Sequence, residues 1–192
     1  MFTLRPPSDE RIRELIAAQS GEPFSYPEVG ATRGFPPAGY DFDQYEVCLG
    51  SGDETWQRAK AALARWKMFP AAMCRLCFPE APMAAGTVVA VLIRTFGLWS
   101  VSPARIVYTF DEPHRFGFAY GTLPGHVERG EEVFAVARRA DGSIWYELAA
   151  FSRPRHFLAR LGYPYARLMQ ARFRRLSGQA MQRAVQETTS QS

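Results

Sequence analysis

Residues 115–132 of the chain read R-F-G-F-A-Y-G-T-L-P-G-H-V-E-R-G-E-E, an aromatic stretch followed by a glycine-rich, acidic loop. Bulky aromatic residues alternate with glycine and alanine over residues 115–121, so a strand here has one aromatic face and one bare face. The bare face leaves room for another group to lie close to the sheet. That group is either a ligand or a helix packed on the sheet.

More strands are predicted on both sides of this stretch by the alternation of apolar and polar residues. They cover residues 40–50, 74–78, 87–95, 105–110, 132–139 and 143–151. The last two are joined at Asp141-Gly142, a dipeptide that strongly favours a tight turn. These strands and their short connections predict an antiparallel meander.

Helices are predicted where apolar residues recur at three-to-four spacing. The first covers residues 8–19, with Ser8 as its cap. The second covers residues 53–69, preceded by Ser51 and Glu54 at the spacing of a capping box.

The C-terminal part of the chain carries the longest helix. Ser152 and Pro154 occupy positions typical of a helix start, and after an interruption the chain can run helical over residues 164–186. At 1.5 Å per residue this last helix is more than about 30 Å long, enough to cross a whole sheet. The sequence therefore predicts an α+β protein with a helix-grip fold, in which a curved antiparallel sheet of about six to seven strands wraps round the C-terminal helix.

The length of 192 residues fits one domain that can bury a core without metals or disulfides. Residues 1–39 are predicted to form an N-terminal helix and loop, and residues 40–186 the helix-grip core. Residues 187–192 form a tail that is expected to fray.

Several motifs resemble a known family when taken together. They are R-F-G-F-A-Y-G-T-L-P-G-H, G-E-E-V-F, A-F-S-R-P and L-G-Y-P, with W-K-M-F and F-G-L-W earlier in the chain. The chain is thereby similar, over residues 22–185, to domain of unknown function nineteen-ninety, also called uncharacterised protein family 0548. The resemblance implies the START-like and birch-pollen-allergen-like superfamily of helix-grip proteins, whose members bind small molecules between sheet and helix. It supplies no catalytic residues.

Composition and cysteine usage point to a cytoplasmic protein. Hydrophobic residues make up 47% of the chain and charged residues 22%, while the N-terminus lacks the pattern of a signal peptide. Three cysteines are an odd number, so a disulfide framework is not expected. Cys74 and Cys77 form one C-x-x-C pair without a second pair or a nearby histidine pair. No metal and no cofactor are therefore predicted, and no nucleotide, phosphate-loop or zinc-protease motif occurs.

Charge is unevenly distributed along the chain. Residues 1–152 hold 15 basic and 18 acidic residues, whereas the remainder holds eight arginines and one acid. Such a basic segment either forms a solvated face, pairs with acidic loops of the same domain, or contacts an anionic membrane. Arg160, Arg167 and Arg174 are seven apart, so they are expected to point outward and to support weak, salt-sensitive membrane adsorption. Nothing indicates nucleic-acid binding.

A cavity between the sheet and the C-terminal helix is the predicted binding site for a lipid-like or aromatic molecule. We expect a volume of several hundred Å³, as drug-sized ligands require. The residues predicted to line this cavity or to orient the ligand are Arg105, Tyr108, Phe116, Phe118, Tyr120, His126, Phe134 and Trp145. Only one face of each strand can point inward, so some of these residues must lie elsewhere.

An enzymatic alternative uses His126 and a glutamate partner such as Glu128. A histidine held by a carboxylate can act as a general base near neutral pH, which suits a small hydrolase, isomerase or cyclase. The other interpretations of His126 are a ligand-gating residue and an exposed loop residue. Its distance from a cavity and from a carboxylate decides between them.

Overall fold

The structure is a computed structural model that describes residues 2–95, 97–154 and 163–187 of the chain. The strands in these residues are β1 (Phe2–Thr3), β2 (Asp41–Ser51), β3 (Cys74–Cys77), β4 (Val88–Thr95), β5 (Leu98–Glu112), β6 (Arg115–Thr122), β7 (Glu128–Arg138) and β8 (Ser143–Pro154). The helices are α1 (Asp9–Gln19), α2 (Gly52–Ala64) and α3 (Tyr163–Glu187), with one turn of 3-10 helix at Ala31–Arg33.

All these strands belong to one antiparallel sheet. Seven of them follow the order β2-β8-β7-β6-β5-β4-β3, and β1 pairs with β5. Strands β3 to β8 are neighbours in chain order, so the predicted meander is confirmed. Strand β2 lies at the opposite edge from β3, and the segment that contains α2 connects the two edges.

The two faces of the sheet are covered by different elements. The inner face, defined here as the face that packs on α2 and α3, holds the main core, to which Leu63 of α2 and Met181 of α3 contribute. The outer face packs on α1, where Ile12 meets Leu92 and Val101. A sheet that holds a long C-terminal helix on its inner face confirms the predicted α+β helix-grip fold.

The bare face of β6 is covered by the chain itself. A Cβ atom added to Gly121 would collide with the hydroxyl of Tyr26 and lie 2.9 Å from the ring of Phe24. Both aromatic residues come from the loop between α1 and β2. The glycine at this position therefore makes room for a packed loop, and neither a ligand nor a helix lies over Gly121 in the described part of the chain.

Two helix predictions are wrong at their ends. Helix α2 stops at Ala64 instead of residue 69, because Trp66 adopts a left-handed backbone with φ 59° and buries its ring 4.9 Å from that of Phe118. Ser152 and Pro154 do not begin a helix, because both belong to β8, where Ser152 pairs with Asp41. The capping box is also absent, since Ser51 precedes α2 without a side-chain hydrogen bond to it.

Strand β5 is longer than predicted, because Pro103 is tolerated in its interior. Strand β6 ends at Thr122, opposite Ala104, so Pro103 lies just beyond the last paired residue on that side. Its carbonyl still accepts a hydrogen bond from the amide of Leu123. A missing N–H at this position costs no ladder hydrogen bond.

None of the helices in the described residues combines the length and the apolar character needed to cross a lipid bilayer.

Candidate functional site

The residues predicted to line one cavity are divided between the two faces of the sheet. Phe116, Phe118, Tyr120 and Phe134 belong to the core on the inner face. Trp145, by contrast, precedes the inward-facing Tyr146 and stacks under the guanidinium of Arg139 on the outer face.

Arg105 and Tyr108 also lie on the outer face, where they hold the N-terminal loop. Arg105 Nη2 donates to the carbonyls of Gln19, Ser20 and Glu22 at the end of α1. Tyr108 packs in an outer cluster with Ala119 and Val133 and shares a 2.7 Å hydrogen bond with Thr32. These two residues and Trp145 therefore cannot line a cavity with the aromatic residues of the inner face.

The polar centre of the inner face is the pair formed by Tyr120 and Glu132. The two residues lie directly opposite each other on β6 and β7, and the Tyr120 hydroxyl donates to Glu132 Oε2 at 2.7 Å. Burial raises the pKa of Glu132 to about 7, and the negative charge of Glu128 acts in the same direction. The hydrogen bond from Tyr120 and the positive charge of Arg174 oppose this rise. Glu132 is nevertheless only half-buried, so part of its side chain stays in contact with solvent.

Glu128 continues the polar surface from Glu132 towards α3. Its carboxylate accepts a 2.8 Å hydrogen bond from the side-chain amide of Gln170, which also reaches the Ser152 hydroxyl. Burial raises the pKa of Glu128 as well, while Gln170 and the charge of Arg167 lower it. We call Tyr120, Glu128, Glu132, Gln170 and Arg174 the inner-face site.

Asp43 of β2 binds two arginines of α3. Arg167 donates to both carboxylate oxygens at 2.5 and 2.7 Å, and Arg174 lies 3.0 Å from one of them. The Asp43 side chain is only 10% exposed. Strand β2 and helix α3 are thus joined by one carboxylate between two guanidinium groups.

This arrangement corrects the predicted orientation of the arginines. Arg167 and Arg174 point to β2 instead of outward, because Asp43 supplies a partner that short-range sequence spacing does not reveal. Arg160 lies outside the described residues. Contact with an anionic membrane stays a prediction. Two of the three arginines predicted for that contact, Arg167 and Arg174, are bound to Asp43.

His126 lies in the loop between β6 and β7. Its ring Nδ1 accepts the backbone amide of Glu128 at 3.0 Å, and its own amide donates to the carbonyl of Leu123. The ring therefore stabilises the turn that starts β7, while the Glu128 carboxylate is bound by Gln170. A catalytic role of His126 with Glu128 stays a prediction.

The cysteine pair does not converge on one site. Cys74 faces the inner core and Cys77 the outer one, and burial raises the pKa of both thiols, for Cys74 to about 12. No group of three or more histidine, cysteine or acidic side chains suited to a metal ion occurs in the residues the structure describes.

A cavity of about 310 Å³ lies between α1 and the segment that precedes β4. It is lined by Arg13, Ile16, Ala17, Phe78, Glu80, Ala81 and Val88. The guanidinium of Arg13 lies 4.1 Å from the centre of the Phe78 ring. This cavity is separate from the space between the inner face and α3, where the sequence placed the binding site.

The sequence predicts Tyr120 as a ligand-binding residue and Glu128 as a glutamate partner of His126, but it misses other members of the inner-face site. Glu132 is noticeable in the sequence as a charged residue in an apolar strand. Gln170 and Arg174 carried no such signal, because a polar residue on an arginine-rich helix usually faces solvent. Only the contact of α3 with β2 brings them to Glu128 and Glu132.

We expect the pKa of Glu132 to make stability fall as pH rises. Between its usual value of 4.5 and about 7 the folded chain keeps the proton that the unfolded chain releases, so this group lowers the free energy of unfolding across that window. Glu132→Gln should remove this dependence and be more stable than wild type by about 2 kcal/mol at pH 8. Urea unfolding at about pH 5 and pH 8 measures the difference, with the exposed Glu112→Gln as control. Parallel pH profiles for wild type and Glu132→Gln would contradict the assignment.

Sequence comparison assigns the family. The pattern of the family described as Domain of unknown function (DUF1990) matches residues 25–180. The chain belongs to this family. A UPF0548 protein of Dictyostelium discoideum is 35% identical over 195 residues and covers 90% of both chains. A UPF0548 protein of Deinococcus radiodurans is 36% identical over 186 residues, covering 90% of this chain and 92% of its own. The resemblance inferred from the motifs is confirmed.

Comparison of folds gives the same architecture. The di-domain ARO/CYC StfQ from the steffimycin biosynthetic pathway superposes with a TM-score of 0.53 at 10% identity. The match covers 79% of this chain and 52% of StfQ. At this identity the likeness concerns the fold alone.

Proposed function

We propose that this protein binds a small apolar or amphipathic molecule in a crevice between the inner face and the first half of α3. The observation that carries the proposal is Glu132, an acidic side chain surrounded by core residues that still keeps accessible surface. A charged group at such a depth is costly unless it serves a partner. Ligand sites typically have a mostly apolar wall that contains a small number of polar groups.

The apolar wall beside Glu132 is made of aromatic rings. The ring centres of Tyr120 and Phe134 are 5.3 Å apart, and those of Phe134 and Phe69 are 6.0 Å apart. Phe173 of α3 completes the row at 6.2 Å from Phe69. Phe69 and Phe173 are both half-buried, so the row reaches from the core to an accessible surface. The accessible parts of Phe69 and Phe173 offer an apolar ligand an aromatic surface.

Binding of an uncharged fluorophore tests the proposal. We expect N-phenylnaphthylamine to bind the wild-type chain, and Phe173→Trp to weaken binding about fivefold, since the larger ring narrows the crevice. Leu168→Trp is the matched control, because Leu168 lies on the same helix with 61% of its surface exposed. Fluorescence titration measures both, and native mass spectrometry of freshly purified protein should show a co-purified molecule. Absence of fluorophore binding to the wild-type chain would refute the proposal.

An enzymatic function is the second candidate, and Glu132 is the observation that favours it. A carboxyl group with a pKa of about 7 can both accept and donate a proton near neutral pH. Tyr120 would orient the carboxyl group or donate a hydrogen bond to a substrate oxygen. In this case Glu132→Gln should retain a molecule that differs in mass from the one found with wild type. A co-purified molecule of identical mass in both favours simple binding.

A further inference from the structure

We propose that the ligand of the inner-face site is an aromatic or alkyl molecule that carries a protonated amine, which Glu132 binds. This inference rests on the proposed function and adds the charge of the ligand. The ammonium group would lie beside Glu132, with the apolar part along the half-buried rings of Phe69 and Phe173.

The balance of charges around the crevice is the first argument. Asp41, Asp43, Glu128 and Glu132 supply four carboxylates, whereas α3 supplies two guanidinium groups, from Arg167 and Arg174. With all four carboxylates ionised, negative charge is in excess. A ligand with a positive charge would reduce this excess. A ligand with a negative charge would leave an excess of negative charge in a poorly solvated space, which is unfavourable.

The distribution of the two guanidinium groups is the second argument. Both bind Asp43, and in the described part of the chain neither Glu128 nor Glu132 forms an ion pair with lysine or arginine. Arg167 and Arg174 thus already have a carboxylate partner. Among the described residues, the hydrogen-bond donors to these carboxylates are neutral: Gln170 and Ser152 at Glu128, and Tyr120 at Glu132.

The third argument is the free acceptor on Glu132. Tyr120 donates to Oε2, and among the described residues no donor is hydrogen-bonded to Oε1. Oε1 can thus accept one N–H group of an ammonium ion. The Tyr120 ring lies next to this carboxylate through its hydroxyl, and the faces of such rings attract cations. An acid beside aromatic faces is a suitable environment for an amine.

Three probes of nearly equal shape test the inference on the full wild-type chain. Phenylpropylamine is a cation, phenylpropanol is neutral, and phenylpropanoate is an anion. Calorimetric titration at about pH 8 should show the amine to bind roughly tenfold more tightly than the alcohol, with the anion the weakest. At about pH 5.5 the amine should lose this advantage, because Glu132 is then protonated. Alcohol binding should change little between the two pH values.

The variant Glu132→Gln distinguishes the contribution of the carboxylate charge to binding from that of the apolar crevice. It should bind amine and alcohol equally at about pH 8, whereas the control Glu112→Gln should keep the preference of wild type. Equal binding of all three probes to wild type would overturn the inference and leave the proposed function intact. The same holds if none of the probes binds while N-phenylnaphthylamine does. Failure of the fluorophore as well would remove both the inference and the proposed function.

Discussion

Replacement of Glu131 by glutamine is expected to destabilise the protein by about 3 kcal/mol, and by alanine by about 3–5 kcal/mol. Glu131 lies on the outer face, 2% exposed, and its carboxylate binds the N-terminal loop. It accepts the Tyr26 hydroxyl at 2.6 Å, the Gly30 amide at 2.7 Å, and both the amide and the hydroxyl of Thr32. Truncation removes the acceptor of the Tyr26 hydroxyl and of the Gly30 and Thr32 amides in a place that water does not reach.

Urea unfolding monitored by circular dichroism measures this effect. Glu147→Gln on the neighbouring strand is the control, since its ion pair with Arg115 is partly exposed and worth less than about 1 kcal/mol. Tyr26→Phe removes one donor only and should cost about 1 kcal/mol. If Glu131→Gln proved as mild as Glu147→Gln, the carboxylate would not be what holds the loop.

Gly130→Ala should be at least as damaging, at about 4 kcal/mol. Gly130 has φ 149°, which side chains rarely adopt, and an added Cβ would collide with the carbonyl oxygen of Phe151 on the paired strand. The atoms nearest to the added Cβ all belong to the backbone of β8. The methyl group can therefore be accommodated only if β7 and β8 move apart, which would break the hydrogen bonds between them. The backbone at Gly130 is also held by the hydrogen bond from its amide to the Thr122 hydroxyl.

Gly142→Ala separates backbone strain from collision. Gly142 lies in the tight turn before β8 with φ 80°, and an added Cβ would meet no atom within 4 Å. Its cost should therefore be the strain alone, about 1 kcal/mol. Thermal or urea unfolding of both variants gives the comparison. Similar losses in the two would show that β7 and β8 can separate enough to admit a methyl group.

The sequence predicts most of the fold because the relevant signals are local. The apolar stripe over residues 164–186 predicts α3, which covers Tyr163–Glu187, and the Asp141-Gly142 turn joins β7 to β8 as expected. Prediction fails where a tertiary contact overrides a local preference. Ser152 has the chemistry of a helix cap, but it is paired between Asp41 of β2 and Gly130 of β7.

The candidate site is predictable only in part, since its members are distant in sequence. Glu132 and Tyr120 are noticeable as polar residues in apolar strands. The arginines that bind Asp43 are separated from it by more than one hundred residues, and the Tyr26–Glu131 hydrogen bond spans 105 residues. Which acidic residue an arginine contacts depends on how the strands and the helix pack in the folded protein. The alternation of apolar residues in strands and their three-to-four spacing in helices do not contain that information.

The two halves of α3 are attached to the sheet by different kinds of contact. The second half is packed, with Ser177 buried against Tyr146 and Gly178 so close to the Tyr45 ring that a methyl group would not fit. The first half is held by Arg167, Arg174 and their neighbours through charges and hydrogen bonds. Ionic strength and acidity affect the packing of the second half far less than the charges and hydrogen bonds of the first half. A change in the surrounding solution can thus loosen the half of the helix that borders the crevice while the other half keeps the protein folded.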